Sequence, residues 1–195
     1  MQQPDLILHL RQLTVYLWIV LIAVWLIGAL RTKRTAWRQP YSARLEQMLL
    51  LVPGVYLLFA RTQVPPALNQ AIFPATLLPV SFGFLLALCG VGFSIWARMT
   101  LGTNWSSTVT LKDDHTLVRS GPYRLVRHPI YTGILFALAG SAFQAGLVRS
   151  FLGVALCIAG FWIKIRVEER LMTQHFGEQY IVYRREVKAL VPFVF

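Results

Sequence analysis

Charged residues are scarce in this chain, where they make up only 14% of the 195 residues. An ordinary soluble domain contains about 25%. Apolar residues supply 56% of the sequence, and the mean hydropathy is positive, at +0.55. This composition argues against a soluble globular domain and predicts a multi-pass integral membrane protein.

Cysteine is also rare, and the common chemical motifs are missing. Cys89 and Cys157 both lie inside apolar runs and form no Cys-x-x-Cys pair, so we expect two buried free thiols and neither a disulfide framework nor a zinc site. His115 and His128 lack a third ligand at a suitable spacing, which argues against any metal. No nucleophile motif, Walker loop or dinucleotide-type glycine-rich turn occurs.

Acidic residues are few: eight Asp and Glu stand against 19 Lys and Arg, for a net charge of +11. In a soluble protein this excess would suggest nucleic acid. In a membrane protein, the preference of basic loops for the cytoplasm and the attraction of anionic lipid headgroups explain it better. We therefore predict membrane lipids as partners and no nucleic acid.

Five apolar segments, 14–30, 45–60, 74–97, 130–148 and 151–165, alternate with polar connections. The first lacks a small-residue cleavage site, so we expect a retained helix. Basic residues are numerous in the first and third connections and in the tail and sparse in the other two. This alternation predicts five spans, with the N-terminus outside and the tail in the cytoplasm.

The predicted fold class is an all-α integral membrane protein of five transmembrane helices. We expect one domain over 1–195, with three spans in 1–97 and, in 98–195, a core that holds a helical hairpin, a cytoplasmic connector and a helical tail. Arg149 and Ser150 alone separate the fourth and fifth segments, which predicts a tight hairpin. Small residues in these two segments are expected to pack against neighbouring helices. They are Gly133, Ala137, Gly140, Ala155, Ala159 and Gly160.

The tail has apolar residues every three to five positions, as on one face of a helix. Phe176 and Gly177 interrupt this pattern and predict a break between two helices. The helical tail either lies on the membrane surface or caps a pocket formed by the bundle.

The stretch from His115 to Gly133 is chemically the most informative. Pro129 disfavours helical geometry at His128 and suits the first position of a helix. The free amides of this helix start, with Arg127 and His128 beside them, predict a site for a carboxylate or a phosphate.

A second cluster, Lys164, Arg166, Glu168 and Glu169, follows the fifth apolar segment. Basic residues here are either interface anchors or site residues. Adjacent helical residues point about 100° apart, so only one of the two glutamates can face a pocket while the other faces water or a basic neighbour.

The run Gly-Pro-Tyr-x-x-Val-Arg-His-Pro-x-Tyr-x-Gly at 121–133 resembles that of the isoprenylcysteine carboxyl methyltransferases. The likeness extends over roughly 98–195, with matches at 102–106, 115–118, 168–169, 176–183 and 191–192. The resemblance implies a membrane fold whose cytoplasmic connector and tail close a pocket for S-adenosylmethionine. It also implies methyl transfer at the cytoplasmic face to a lipophilic or lipidated acceptor, above all to the carboxylate of an isoprenylcysteine-like substrate.

The resemblance also implies roles for single residues. Lys164 stands where the family has an arginine that contacts the substrate carboxylate, and Arg166 is the rival contact two residues on; a lysine keeps the charge but loses the bidentate fork. Arg127, Lys164 and Glu168 are predicted to be catalytic. The residues expected to line the cofactor are His115, Thr116, Leu117, Val118, Tyr123, His128, Pro129, Ile130, Tyr131 and Glu168.

Other functions stay open at this point. Related membrane enzymes methylate phospholipid amines or small thiols, and those acceptors need a base, whereas a carboxylate does not. Sterol reductases share a related C-terminal core but have more spans. A non-catalytic assembly factor or transporter is the third alternative, although a transporter would be expected to show charged or broken segments in matching halves.

Overall fold

The computed structural model describes residues 3–29, 35–38, 41–60, 63–102, 110–112 and 116–191. Most of these residues are helical, as predicted, and two short strands add a feature that the hydropathy pattern does not indicate. The elements are α1 (Gln3–Ala29), β1 (Thr35–Arg38), α2 (Tyr41–Phe59), α3 (Leu77–Leu101), β2 (Thr110–Lys112), α4 (Pro129–Ala145), α5 (Val148–Phe176) and α6 (Glu178–Glu186), with short 3-10 helices at Pro66–Asn69 and Gly121–Arg124.

Helices α1, α3 and α5 are each long and apolar enough to cross a membrane, and α4 is a shorter apolar helix. Large apolar side chains on the outside of the bundle are exposed, among them Leu26, Leu49 and Leu85. Water disfavours an extensive apolar surface of this kind, whereas lipid chains solvate it. The chain is therefore an integral membrane protein, and the count of five spans stays a prediction.

Glycine pairs set the packing of the bundle. Helix α3 runs antiparallel to α4, with Gly83 against Gly140 and Gly90 against Gly133; α2 meets α5 in the same way at Gly54 and Gly153. A Cβ on any of these glycines would lie well inside van der Waals contact with the backbone of the facing helix. The predicted close approach is therefore confirmed for the glycines of α4.

Gly90 and Gly92 provide a matched test of this packing, because they lie two positions apart in α3. A Cβ at Gly90 would collide with the Gly133 carbonyl, whereas a Cβ at Gly92 would meet no heavy atom within 4 Å. We expect Gly90→Ala to destabilise the bundle by about 1–3 kcal/mol. Gly92→Ala should be neutral or slightly stabilising, because alanine favours helix. Thermal unfolding in detergent distinguishes the two, and equal midpoints would contradict the packing.

The turn between α4 and α5 lies at Gly146 and Leu147, so the predicted break at Arg149 and Ser150 is wrong. Gly146 adopts the left-handed conformation, with φ of 68°. Arg149 lies inside the first turn of α5, where carbonyl oxygens of α2 accept hydrogen bonds from its guanidinium. Its Nη1 donates to the carbonyls of Leu57 and Leu58, at 2.7 and 3.1 Å.

Three residues predicted to be buried are instead exposed: Ala155, Ala159 and Cys89. Helix α5 packs on α2 through Gly153, Cys157 and Gly160, and Ala155 and Ala159 lie on another face of the helix. In contrast, Ala137 and Cys157 are buried, as predicted.

The predicted break at Phe176 and Gly177 is confirmed. Helix α5 continues past the expected end of the apolar segment at 165 and stops at Phe176, and Gly177 takes a positive φ of 54° before α6. The last part of α5 therefore projects beyond the apolar segment and carries the two glutamates with it.

Two basic connections meet at one end of the bundle. Strand β1, between α1 and α2, pairs antiparallel with β2, between α3 and α4. Arg98 ties the same end together, since it donates to the carbonyl of Gly28 in α1 and to that of Gly102, both at 2.8 Å. This end also receives the start of α4 and the end of α5, which positions the residues of the candidate site.

Candidate active site

The start of α4 is held by the segment that follows α6. The backbone amide of Arg127 donates to the carbonyl of Lys188 at 2.8 Å, and that of His128 donates to Ala189 at 3.0 Å. The hydroxyl of Thr132, one turn into α4, donates to the carbonyl of Leu190 at 2.9 Å. The tail is therefore docked on the bundle.

Glu169 of α5 is the centre of an ionic cluster that we call the Glu169 cluster, formed with Arg127, His128 and Arg184. Its Oε1 accepts hydrogen bonds from Nε and Nη2 of Arg127, at 2.8 and 2.5 Å, and lies 3.3 Å from Nε2 of His128. Its Oε2 lies 3.3 Å from Nε of Arg184 in α6. The carboxylate predicted beside Arg127 and His128 is thus supplied by the chain itself.

Arg127 also binds the tail directly. Its Nη1 donates to the carbonyls of Val187 and Arg184. Side chains of Arg127 and Glu169 are only 9% and 11% exposed. In such a nearly buried pair each charge depends on the other, because neither is hydrated.

Glu168 faces a different set of residues. Its Oε1 accepts a hydrogen bond from the Tyr131 hydroxyl at 2.5 Å, and its Oε2 lies 3.4 Å from Nδ1 of His128. The Tyr131 ring stacks with those of His128 and Phe161, with centroid distances of 5.7 and 5.0 Å. The Nζ of Lys164 lies 5.2 Å from the centre of the same ring. The predicted divergence of Glu168 and Glu169 is confirmed.

His128 lies between the two carboxylates, with one ring nitrogen facing each. Burial alone lowers the pKa of His128, but the hydrogen bonds and negative charges of Glu168 and Glu169 together outweigh burial and raise it above the ordinary value. Only a doubly protonated ring can donate to both carboxylates at once. His128 is therefore suited to hold a proton and to position both glutamates.

The 3-10 helix before α4 is fastened to α6 by two tyrosines. The hydroxyl of Tyr183 donates to the carbonyl of Tyr123 at 2.6 Å. Burial raises the pKa of Tyr183 to about 12, so this hydroxyl keeps its proton and remains a donor.

The structure brings together four of the residues predicted from the sequence: His128, Tyr131, Lys164 and Glu168. Arg127 joins them through Glu169. Arg166 does not, because it is exposed and its guanidinium carbon lies 5.4 Å from the Trp162 ring on another face of α5.

The other predicted cofactor residues lie at or before the start of α4. Pro129 and Ile130 are buried in its first turn, and the carbonyl of Ile130 accepts a hydrogen bond from Ser94 at 3.1 Å. Tyr123 is buried in a cluster with Ala97 and Ile130, and Val118 packs against this cluster. Leu117 is half-buried and Thr116 is exposed, while His115 falls outside the described residues.

Arg184 and Thr132 have contacts at this site that sequence reasoning missed. Arg184 is one of several basic tail residues, and nothing local marks it as a partner of Glu169. Thr132 lies inside the run at 121–133 that resembles the family, but its hydrogen bond to Leu190 joins residues 58 positions apart. Among the described residues, no group of three or more His, Cys, Asp or Glu side chains is placed to hold a metal ion.

Similarity to known proteins covers α4 and the part of α5 that carries the two glutamates. A sequence profile of the isoprenylcysteine carboxyl methyltransferase (ICMT) family matches residues 83–174, from within α3 to near the end of α5. A protein-S-isoprenylcysteine O-methyltransferase of Xenopus laevis is 29% identical over 181 residues, which is 82% of this chain and 58% of the relative. The Homo sapiens protein of the same name is 31% identical over 169 residues, or 82% of this chain and 59% of the relative.

The Saccharomyces cerevisiae protein of that name is 32% identical over 126 residues, covering 62% of this chain and 52% of the relative. The chain thus spans between half and three fifths of the length of these curated relatives.

A solved structure of the eukaryotic intramembrane Ras methyltransferase ICMT is similar in fold. Its TM-score is 0.55, at 24% identity, over 80% of this chain and 55% of that chain. The profile match covers the glutamates and the start of α4, and the likeness to the solved structure shows a common fold. On this evidence the chain belongs to the isoprenylcysteine carboxyl methyltransferase family.

Proposed function

We propose that this chain transfers a methyl group from S-adenosylmethionine to the carboxylate of a lipophilic, isoprenylcysteine-like acceptor. The observation that carries the proposal is the group formed by Tyr131, Lys164 and Glu168. It places a carboxylate, an ammonium and an aromatic face together at the basic end of the bundle. The names and family of the relatives support the same activity.

The residues present fit the cofactor. Glu168 is 21% exposed and can accept a hydrogen bond from a polar or cationic group of the cofactor. When bound, S-adenosylmethionine supplies a sulfonium methyl group that is already activated for transfer. The chain has to orient the acceptor and exclude water around it. The docked tail is proposed to provide that enclosure.

The engagement of the candidate bases favours a carboxylate acceptor over an amine or a thiol. Glu168 already accepts from Tyr131 and faces His128, Glu169 is held by Arg127, and His128 contacts both glutamates. These contacts stabilise the charged carboxylates, which makes Glu168 and Glu169 weaker bases. A carboxylate needs no deprotonation, whereas an amine or a thiol acceptor does.

Methyl transfer can be measured with the purified protein in detergent, radiolabelled S-adenosylmethionine and N-acetyl-S-farnesylcysteine. We expect a base-labile methyl ester, and no product with the farnesylcysteine amide, which lacks the carboxylate. Transfer to phosphatidylethanolamine or to a small thiol, with none to the farnesylcysteine, would contradict the proposed acceptor. Calorimetry with S-adenosylmethionine alone tests the cofactor separately.

The basic end of the bundle is proposed to face the cytoplasm, with five spans and the N-terminus outside. The pairing of β1 with β2 supports this proposal, since it brings two basic connections to the end where α5 finishes. A fluorescent protein fused after residue 195 should therefore be bright in cells, and an alkaline phosphatase fused there should be inactive. The reverse pattern would overturn the proposed orientation.

A further inference from the structure

A cavity of about 480 Å³ opens between α5, α6 and the segment after α6. We call it the basic groove. Its lining includes Arg127, Trp162, Ile181, Arg184, Arg185 and Lys188.

Positive charge exceeds negative charge in the basic groove. Glu169 neutralises part of the charge, because it contacts Arg127 and Arg184. In contrast, the side chains of Arg185 and Lys188 are exposed, and neither forms an ion pair or a hydrogen bond with any residue that the structure describes. Two cations therefore remain for an anionic ligand, and the side chain of Arg184, 47% exposed, also lines the groove.

The groove lies apart from the proposed methyl-transfer residues. Trp162 precedes Glu168 by six positions, and at about 100° per residue their side chains point about 120° apart around α5. Lys164 and Glu168 are one turn apart and share the face that meets Tyr131. An anion in the groove would therefore lie on a different side of α5 from the acceptor proposed above.

The depth of the groove in the membrane is indicated by Trp162. Tryptophan is enriched at the boundary between headgroups and hydrocarbon, and the guanidinium of Arg166 lies over this ring on the side of the basic end. Towards the middle of the bilayer, the same face of α5 presents Ala155, Ile158 and Ala159, which are all exposed. This face offers a shallow apolar strip directly below a cationic groove.

We propose that the basic groove binds the phosphate of an anionic membrane phospholipid, with an acyl chain along the strip of Ala155, Ile158 and Ala159. A free phosphate would satisfy Arg184, Arg185 and Lys188 but not the apolar strip. A zwitterionic lipid would bring its own cation into a groove that already has an excess of positive charge. The combination of a cationic groove and an apolar strip selects an anionic lipid.

The test uses the full chain in dodecylmaltoside, titrated with dioleoyl phosphatidylglycerol or dioleoyl phosphatidylcholine and observed by native mass spectrometry. We expect the anionic lipid to bind at least about tenfold more tightly. The double variant Arg185→Gln/Lys188→Gln should weaken its binding roughly 10- to 30-fold, since each basic group near an anionic headgroup contributes several-fold to affinity. The matched control Arg124→Gln/Arg170→Gln removes two exposed charges of the same end outside the groove and should bind as the wild type does.

Soluble competitors distinguish the lipid from a free anion. Inorganic phosphate and glycerophosphoglycerol, at the same concentration as the lipid, should not displace it. Displacement by either would overturn the lipid proposal in favour of a soluble phosphate ligand. An equal loss of affinity in the control variant would overturn it in favour of general attraction to the charged surface. Unchanged binding in the groove variant would place the lipid elsewhere.

Discussion

Glu169→Gln is expected to release the C-terminal tail from the bundle and to lower the free energy of unfolding by about 3–5 kcal/mol. Glu169 is the acidic partner of Arg127, and both side chains are nearly buried, at 11% and 9% exposure. Removing the carboxylate charge leaves the Arg127 guanidinium uncompensated, and it also removes a partner of His128 and of Arg184 in α6. Thermal unfolding in detergent measures the loss, and hydrogen exchange of 178–191 reports the release of the tail.

Glu178→Gln is the matched control, because this substitution removes the same charge from an exposed position in α6. Glu178 lies in the first turn of α6, where loss of its charge costs no more than about 1 kcal/mol. If both variants unfolded at the same temperature, the Glu169 cluster would not be what holds the tail. Arg127→Lys adds a finer test, since lysine keeps the charge but cannot make the paired Nε and Nη2 contacts with Glu169; it should fall between the wild type and Glu169→Gln.

The helices could be predicted from the sequence because their determinants are local. Long apolar runs mark α1, α3 and α5, Pro129 marks the start of α4, and Gly177 marks the break after α5. Hydropathy does not tell the inside of a membrane bundle from its outside, because lipid tolerates apolar side chains as well as the protein core does. For this reason the hydropathy pattern predicts burial of Cys89 and Ala155, which are exposed in the structure.

The position of a charged residue in the sequence does not predict its contacts when its partner is distant in the sequence. The position of Arg149 between two apolar segments predicts the turn of a tight hairpin, but Arg149 lies in α5 and donates to carbonyls of α2 more than 90 positions away. The Glu169 cluster poses the same difficulty, since Arg127 precedes Glu169 by 42 positions. Only the docking of the tail against α4 and α5 brings these charges together, and no periodicity in the sequence encodes it.

The residues of the candidate site can be predicted from two other signals. The family resemblance indicates which residues they are, and helix geometry indicates which of them lie together. Lys164 and Glu168 lie four positions apart on α5 and therefore share a face, which the structure shows turned towards Tyr131. Arg166 lies two positions from each, so its side chain points about 160° away from both. The structure places it over Trp162.

Lys164→Ala is expected to lower kcat/KM for a carboxylate acceptor roughly 10- to 100-fold, the cost of one lost charge-assisted contact. The affinity for S-adenosylmethionine, measured by calorimetry, should change little. Lys164 lies on the Tyr131 ring, one turn closer to the bilayer than Glu168, so an acidic acceptor entering from the lipid would meet its ammonium first. Lys164→Arg, which restores the residue of the family, should keep or raise the activity.

Two companion variants make this assignment specific. Glu168→Gln should show the opposite division, with S-adenosylmethionine binding weakened roughly 10- to 100-fold, because its carboxylate is the group proposed to hold the cofactor. Arg166→Ala should leave both the acceptor KM and the cofactor affinity close to the wild type, since its guanidinium lies over Trp162 on another face of α5. If Arg166→Ala abolished turnover and Lys164→Ala did not, Arg166 would be the acceptor contact and Lys164 an interface anchor. If neither variant changed the kinetics, the acceptor would not be an anion, and methyl transfer to an amine or a thiol would replace carboxyl methylation as the proposed reaction.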